Sequence, residues 1–366
     1  MGNMMYVVDI VIVGCLGFIL MSCITAPVNA PAAPAPIQAP VFVSGEGGYH
    51  TYRIPAIVVS PKGTVLAFCE GRKNSGSDAG DIDLVLKRSF DGGETWTAMQ
   101  VVYENGANTI GNPCPVVDQT TGTIWLAFTR NNDGVFVTHS TDNGATWTAP
   151  VEITSDVKPS DWTWYATGPC HGIQLSSGRL LMPCDHRIQG NPEQFSHVIY
   201  SDDHGASWKL GGTPGEKTDE CTAVETMDGR VYLNMRSYLG KNRRAIASSA
   251  DGGITWTPST LDETLIEPVC QASVLRLTNA RDHDKNRLAF SNPASVKREK
   301  MTLRLSCDEG QSWTPGKILH NGPAAYSDLA TTPDGAILCL YERGLKHPYE
   351  TITLARVPLA WLEESP

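Results

Sequence analysis

Apolar residues in this chain come in short, dense runs, and nowhere with the spacing of an amphipathic helix. Ile54–Ser60, Thr64–Cys69, Leu84–Arg88, Thr123–Thr129, Gly134–His139 and Arg179–Pro183 are such runs. So are His197–Tyr200, Arg230–Met235, Ala245–Ser248, Arg287–Ser291, Met301–Leu305 and Ala336–Tyr341. Runs this short, bounded by Gly, Pro, Asn or Asp, predict buried β-strands. Only Leu359–Glu363 reads as one turn of helix.

The turn signals are ordered too. Lys62-Gly63, Thr121-Gly122, Ser177-Gly178, Asp228-Gly229 and Asp334-Gly335 each sit just before a strand-like run. In register with them, the octapeptide S-x-D-x-G-x-[ST]-W occurs at Ser89–Trp96, Ser140–Trp147, Ser201–Trp208, Ser249–Trp256 and Ser306–Trp313. Its chemistry suits a hairpin tip. The Asp accepts backbone N–H groups two residues on, the Gly takes a positive φ, and the Trp packs back between sheets. Nothing in it requires a substrate. A unit recurring every roughly 50 to 60 residues marks a radially repeated fold in which no unit buries both faces alone. Five boxes and one unit without a box predict an all-β, six-bladed β-propeller of four-stranded antiparallel sheets. The blade lacking a box should be closed by the N- and C-terminal strands together.

Composition narrows the partners. The chain has 366 residues, 41% of them apolar, with 34 Gly and 24 Pro, which suits one large domain full of turns. A net charge of −10 argues against nucleic acid or an anionic membrane. It leaves room for an anionic ligand where arginines gather. Of ten cysteines none forms a C-x-x-C pair, and most fall inside apolar runs, so they read as small buried hydrophobes. H-E-x-x-H and G-x-S-x-G are absent, and Gly215-Glu216-Lys217-Thr218 only grazes a phosphate loop.

Residues 1–24 read as an export signal. Tyr6–Ile24 is uncharged apart from Asp9, and Leu20-Met21-Ser22-Cys23 resembles a bacterial lipobox, which would lipidate Cys23. No Lys or Arg precedes Arg53, so the usual basic start is missing. Residues 25–40, alternating Ala and Pro from Pro27, read as an extended tether without packed structure. The folded domain is then 41–366. The expectation is an exported monomer, in the periplasm, at the outer membrane or cell surface, or secreted, with no integral membrane domain.

Unusual charged residues mark the strand ends: Tyr52-Arg53-Ile54-Pro55, Asp219-Glu220-Cys221, Asn234-Met235-Arg236-Ser237, Arg298 and Tyr326-Ser327-Asp328. The five boxes, Tyr-Arg-Ile-Pro before the first and Tyr-Ser-Asp-Leu after the last resemble the sialidase (neuraminidase) superfamily over about Val41 to Pro358. The resemblance implies a six-bladed propeller, a sialylated glycan as substrate, a retaining mechanism, and neither metal nor cofactor.

It also implies roles. An arginine triad falls on Arg53, Arg236 and Arg298. Three guanidiniums around one carboxylate give both charge and bidentate orientation. Arg304, six residues on, shares a face with Arg298 in an ideal strand and is the contender. Tyr326 is the implied nucleophile and Glu220 its base. Sialidases are the tyrosine exception among glycosidases. A carboxylate would be repelled by the carboxylate on the sialic acid's anomeric carbon, whereas a neutral phenol is not. Asp78, in a Gly/Ser loop ten residues before Arg88, is the implied acid/base, with Asp81 and Asp83 as rivals. Arg72 and Asn112 follow as further binding residues, and Glu342 as the residue that orients Arg53. Trp162, Tyr165 and His186 could line the pocket for the N-acyl and glycerol arms, though an aromatic there is at least as often core.

Two other readings stay open: a non-catalytic sialoglycan-binding propeller, and a trans- or anhydro-sialidase. A lectin has no use for the set Asp78, Glu220 and Tyr326. With no appended lectin domain in view, plain hydrolysis is favoured over transfer.

Overall fold

The computed structural model describes residues 1–2 and 33–364. The export signal, Cys23 and most of the tether lie outside the described residues. Six antiparallel sheets form a ring. The first comprises Thr51–Val59, Val65–Arg72, Ile82–Ser89 and Gln100–Tyr103; the second, Ile110–Val117, Ile124–Arg130, Gly134–Ser140 and Val151–Glu152. The third has a split inner strand, Trp162–Thr167 and Ile173–Gln174, followed by Leu180–Ile188, Gln194–Ser201 and Lys209–Leu210. The fourth comprises Thr218–Glu225, Val231–Ser237, Arg243–Ser249 and Thr260–Ile266. Ser273–Thr278, Arg287–Pro293 and Glu299–Ser306 belong to the fifth.

The next strand, Lys317–Thr331, serves two sheets. Its first residues pair with Glu299–Ser306 and complete the fifth; from Ala324 it pairs with Ile337–Arg343 and opens the sixth. Thr351–Val357 and Ile37–Val43 finish the sixth sheet. The ring is thus closed by strands from both ends of the chain, in the blade without a box. The closing strand begins at Ile37, inside the stretch expected to be tether. Pro40 is tolerated there because this is an outer edge strand, where a missing N–H leaves no gap in the ladder. Among the described residues helix is confined to Thr154–Val157 and Leu359–Glu363. Among the described residues no helix is long and apolar enough to cross a membrane. Seven of the eight described cysteines are buried and all eight are unpaired.

The boxes repeat one geometry. In each, the Ser hydroxyl accepts the N–H of the Gly four residues on at 2.8 Å. The Asp accepts the N–H of the Thr or Ser four residues on, at 2.8 to 2.9 Å. The reach is four residues rather than two because positive φ at the Gly coils the chain back on itself. That Gly is also the contact with the preceding blade. A Cβ on Gly205 would lie 2.1 Å from Trp125, and one on Gly144 2.4 Å from Leu66. The box tryptophans bridge blades too: Trp147 meets Phe68 edge-on at 5.7 Å, and Trp208 meets Trp125 at 6.1 Å.

The neighbouring hydroxyl and backbone N–H hold the Asp142, Asp203 and Asp251 carboxyls at about 2, against an ordinary 3.8. A carboxyl depressed by folding stabilises the fold above its unfolded value of about 4, and that contribution is lost as pH falls towards 2. The urea midpoint is therefore expected to drop between about pH 4 and pH 2. The drop should shrink when the three are replaced by Asn; an undiminished drop would assign it to other groups.

Inner strands run from one mouth of the channel to the other, and pairing of Thr51 with Arg72 and of Val65 with Ser89 puts the boxes at the end away from Arg53. At the Arg53 end the ladder slips in four inner strands: between Arg53 and Ala56, Gly111 and Cys114, Thr218 and Cys221, and Ala324 and Ser327. Such bulges break the alternation of the pleat and re-aim side chains. They bring Asn112, Glu220 and Tyr326 to the mouth. Ile54 takes φ +62°, a costly conformation for a β-branched residue. Its N–H is repaid by a 3.0 Å bond to Glu342 Oε1.

Candidate active site

Tyr326 sits at the centre of the mouth, buried in the sixth blade's inner strand. Its hydroxyl donates to Glu220 Oε1 and accepts Arg236 Nη1 at 3.3 Å. The same Nη1 pairs with Glu220 Oε2 at 2.8 Å. Arg53 lies 5.0 Å and Arg298 5.5 Å from the Tyr326 ring centre. Guanidiniums from three blades thus surround one phenol that touches a carboxylate. Burial, and then the charge of Glu220, push the Tyr326 phenol well above its ordinary 10. It stays neutral near pH 7, a proton donor to Glu220.

Glu342, fully buried, fixes one side of this arrangement. It takes Arg53 Nε at 2.8 Å, the Ile54 N–H, and the Tyr326 N–H at 3.1 Å. One carboxylate therefore holds the first arginine and the backbone of the phenol together. Arg298 differs from its neighbours. Among the described residues it makes no ion pair, and its Nη1 donates to the Tyr349 hydroxyl. Tyr349 also lies 3.8 Å under the Arg53 guanidinium.

Asp78 sits on the loop between the second and third strands of the first blade. Its side chain is 83% exposed, with Arg72 Nη1 at 2.7 Å and Arg53 Nη1 at 3.5 Å. Its partial burial pushes the carboxyl up, but Arg72, then Arg53 and Arg298, outweigh this and hold it below the ordinary 3.8. Arg72 is clamped from behind by Glu70 at 2.7 Å, and Glu70 also accepts the Asn112 N–H at 3.0 Å. The Asn112 amide turns aside to Thr129.

The rivals lie elsewhere. Asp81 and Asp83 bind Lys73 at 2.9 and 3.1 Å, and Asp83 also accepts the Tyr49 hydroxyl. Arg304 is buried against Asn292 at 3.2 Å. Ideal-strand parity fails between 298 and 304 because Lys300 has φ +61° and the ladder slips on both sides of Met301. Trp162, Tyr165 and His186 are buried, the first two in the core between the second and third blades. The His186 ring stacks on Trp162 at 3.3 Å, and burial lowers its pKa to about 3. A cavity of about 690 Å3 opens at the box end of the channel, bordered by Ile57, His171, Glu225 and Arg276, and no candidate residue touches it. Converging charge, not the size of a cavity, marks the site.

Sequence reasoning passed over Glu70 and Tyr349. Glu70 had a signal, since it lies two residues before Arg72 on one face of a strand. Tyr349 had none: it comes from a loop, and its partners Arg53 and Arg298 are far away in sequence.

The profile of the BNR repeat-like domain family matches residues 63–339. The chain is 35% identical to a sialidase of Micromonospora viridifaciens, over 92% of this chain and 56% of that protein. It is 33% identical to a sialidase of Bacteroides fragilis, over 83% and 62% respectively. An exo-alpha-sialidase of Aspergillus fumigatus is 30% identical, over 87% and 86%. Among solved structures, the Hadza microbial sialidase Hz136 has a TM-score of 0.82 at 29% identity, covering 89% of this chain and 69% of that one. The chain spans little more than half the length of the two bacterial relatives and most of the fungal one. With repeats, ring and aligned length in agreement, this chain belongs to the sialidase family of BNR-repeat proteins.

Proposed function

We propose that this chain is a retaining exo-α-sialidase that hydrolyses terminal sialic acids from glycans. One observation carries the reading: the Tyr326 hydroxyl is bonded to Glu220 among three guanidiniums, one of which, Arg298, has no carboxylate of its own. A site built that way has a place for an anion directly beside a nucleophile and its base.

The chemistry follows from the groups present. A substrate carboxylate on Arg53, Arg236 and Arg298 sets the anomeric carbon against the Tyr326 oxygen. As that oxygen attacks, its proton passes to Glu220, which a phenol held above its ordinary pKa of about 10 requires at neutral pH. The glycosidic C–O bond breaks and the leaving oxygen takes a proton from Asp78. Asp78 is held ionised in the free site by the arginines around it. A bound carboxylate neutralises those arginines and covers Asp78, and both effects raise it towards the protonated form an acid needs. In the second step Asp78 takes a proton from water, the water oxygen attacks the anomeric carbon, and the Tyr326–carbon bond breaks. Glu220 returns its proton to the phenolate. Two inversions leave the configuration retained.

Sialyllactose and the chain, followed by proton NMR, test the reading directly. The α-anomer of free sialic acid should appear first and mutarotate later. First appearance of the β-anomer would exclude a covalent intermediate; an anhydro product or transfer to lactose would move the assignment to the other sialidase chemistries. Binding without release would make it a lectin.

A further inference from the structure

Behind the candidate base lies a buried carboxyl that the proposed chemistry does not use. Asp185, in Leu180–Ile188, is fully buried, and neither side-chain oxygen has a hydrogen-bond partner. Its partner across the ladder is Ser196, whose hydroxyl donates to the backbone carbonyl of Asp219. That bond seats the fourth blade's inner strand on the third blade, close enough for the Asp219 charge to act on Asp185. The Asp219 carboxylate lies 3.8 Å from Arg236 Nε, a buried atom with no hydrogen-bond partner. Nη1 of the same guanidinium holds Glu220 and Tyr326.

Charge counting decides the state of Asp185. Asp185, Asp219 and Glu220 are three carboxyls around one cation, Arg236. The other titratable groups here supply no charge. Burial keeps Tyr165, Cys184 and Cys221 protonated and His197 deprotonated. A carboxylate buried without donor or cation takes up a proton rather than bear the loss of hydration. Burial, and then the charge of Asp219, push Asp185 the same way. Protonated, it owns one O–H, and the acceptor beside it is Asp219.

We propose that Asp185 is a positioning residue, a neutral carboxylic acid whose O–H bonds to Asp219, turns that carboxylate towards Arg236 Nε, and so fixes the guanidinium that holds Glu220 and Tyr326. Its expected effect on turnover rests on the sialidase reading; its protonation does not.

Asp185→Asn keeps an N–H donor in place, whereas Asp185→Leu removes it. The Leu variant should lose roughly ten- to a hundredfold in kcat on an α-sialoside with KM little changed. Its thermal midpoint should stay close to wild type, because Leu fills the buried space and Asp219 keeps Arg236 as its cation. The Asn variant should recover kcat to within about threefold. Equal damage in both variants, or full kcat in the Leu variant, overturns the proposal. An infrared difference spectrum, wild type minus Asp185→Asn at neutral pH, reads the proton without reference to activity. The carbonyl band of a protonated carboxylic acid is expected, and carboxylate bands in its place overturn the proposal. That band in a chain that cleaves no sialoside upholds the buried acid and sinks the functional reading instead.

Discussion

Tyr326→Phe is expected to lower kcat on an α-sialoside by at least about a thousandfold while leaving the chain folded. The ring stays in its place among Ile54, Cys270 and Ala325, so packing is kept. The loss is confined to one oxygen, which donates to Glu220 and accepts Arg236 Nη1. Glu220 is not orphaned by the change, because Arg236 remains 2.8 Å from it. An unsaturated sialic acid analogue, which needs the arginines but no attack, should still bind. Steady-state kinetics on a fluorogenic sialoside and calorimetric titration of the analogue read the two effects separately. Turnover within tenfold of wild type would remove Tyr326 from the nucleophile's role.

The second large effect separates two arginines to which the proposed function gives the same job in different settings. Arg53→Ala and Arg298→Ala should each weaken binding of the analogue by roughly ten- to a hundredfold. A charged hydrogen bond is worth about 1.5–3 kcal/mol, and each 1.4 kcal/mol is a factor of ten. Only Arg53→Ala should also destabilise the fold, by about 3–5 kcal/mol, since it leaves the buried Glu342 without its cation. Among the described residues Arg298 pairs with no carboxylate, so its removal orphans no charge there. Titration of the analogue and urea unfolding of both variants check this. Equal stability losses would show that Glu342 does not depend on Arg53, and unchanged affinity in either variant would take that arginine out of the carboxylate site.

The box octapeptides announced the blades because each box is local: the Ser, Asp and Gly that make the turn lie within five residues of one another. The closing of the ring was legible for the same reason, since one unit lacked a box. The site was legible only through a resemblance. Nothing local in Tyr326-Ser327-Asp328 says that its phenol meets a glutamate 106 residues earlier. Counting by twos along a strand then misled at Arg304, because a left-handed Lys300 and two slips in register break the alternation. Trp162, Tyr165 and His186 read equally as pocket lining or core; Trp162 and Tyr165 pack into the core between the second and third blades, with His186 stacked on Trp162. Asp185 gave no warning at all, since what matters about it is the absence of a partner.

The strand that carries Tyr326 belongs to two blades, and this divides the site mechanically. Fraying it would cost the ladder with Glu299–Ser306 on one side and with Ile337–Arg343 on the other. Asp78 stands on a largely exposed loop tied at its end by Gly80 to Thr109, with its own carboxylate held by Arg72 and Arg53. Tyr326 is therefore fixed by two ladders, whereas Asp78 stands on a single loop between two strands. On the proposed reading, the two groups of one reaction therefore differ in how firmly they are held: the phenol by two sheets, the carboxyl by one loop.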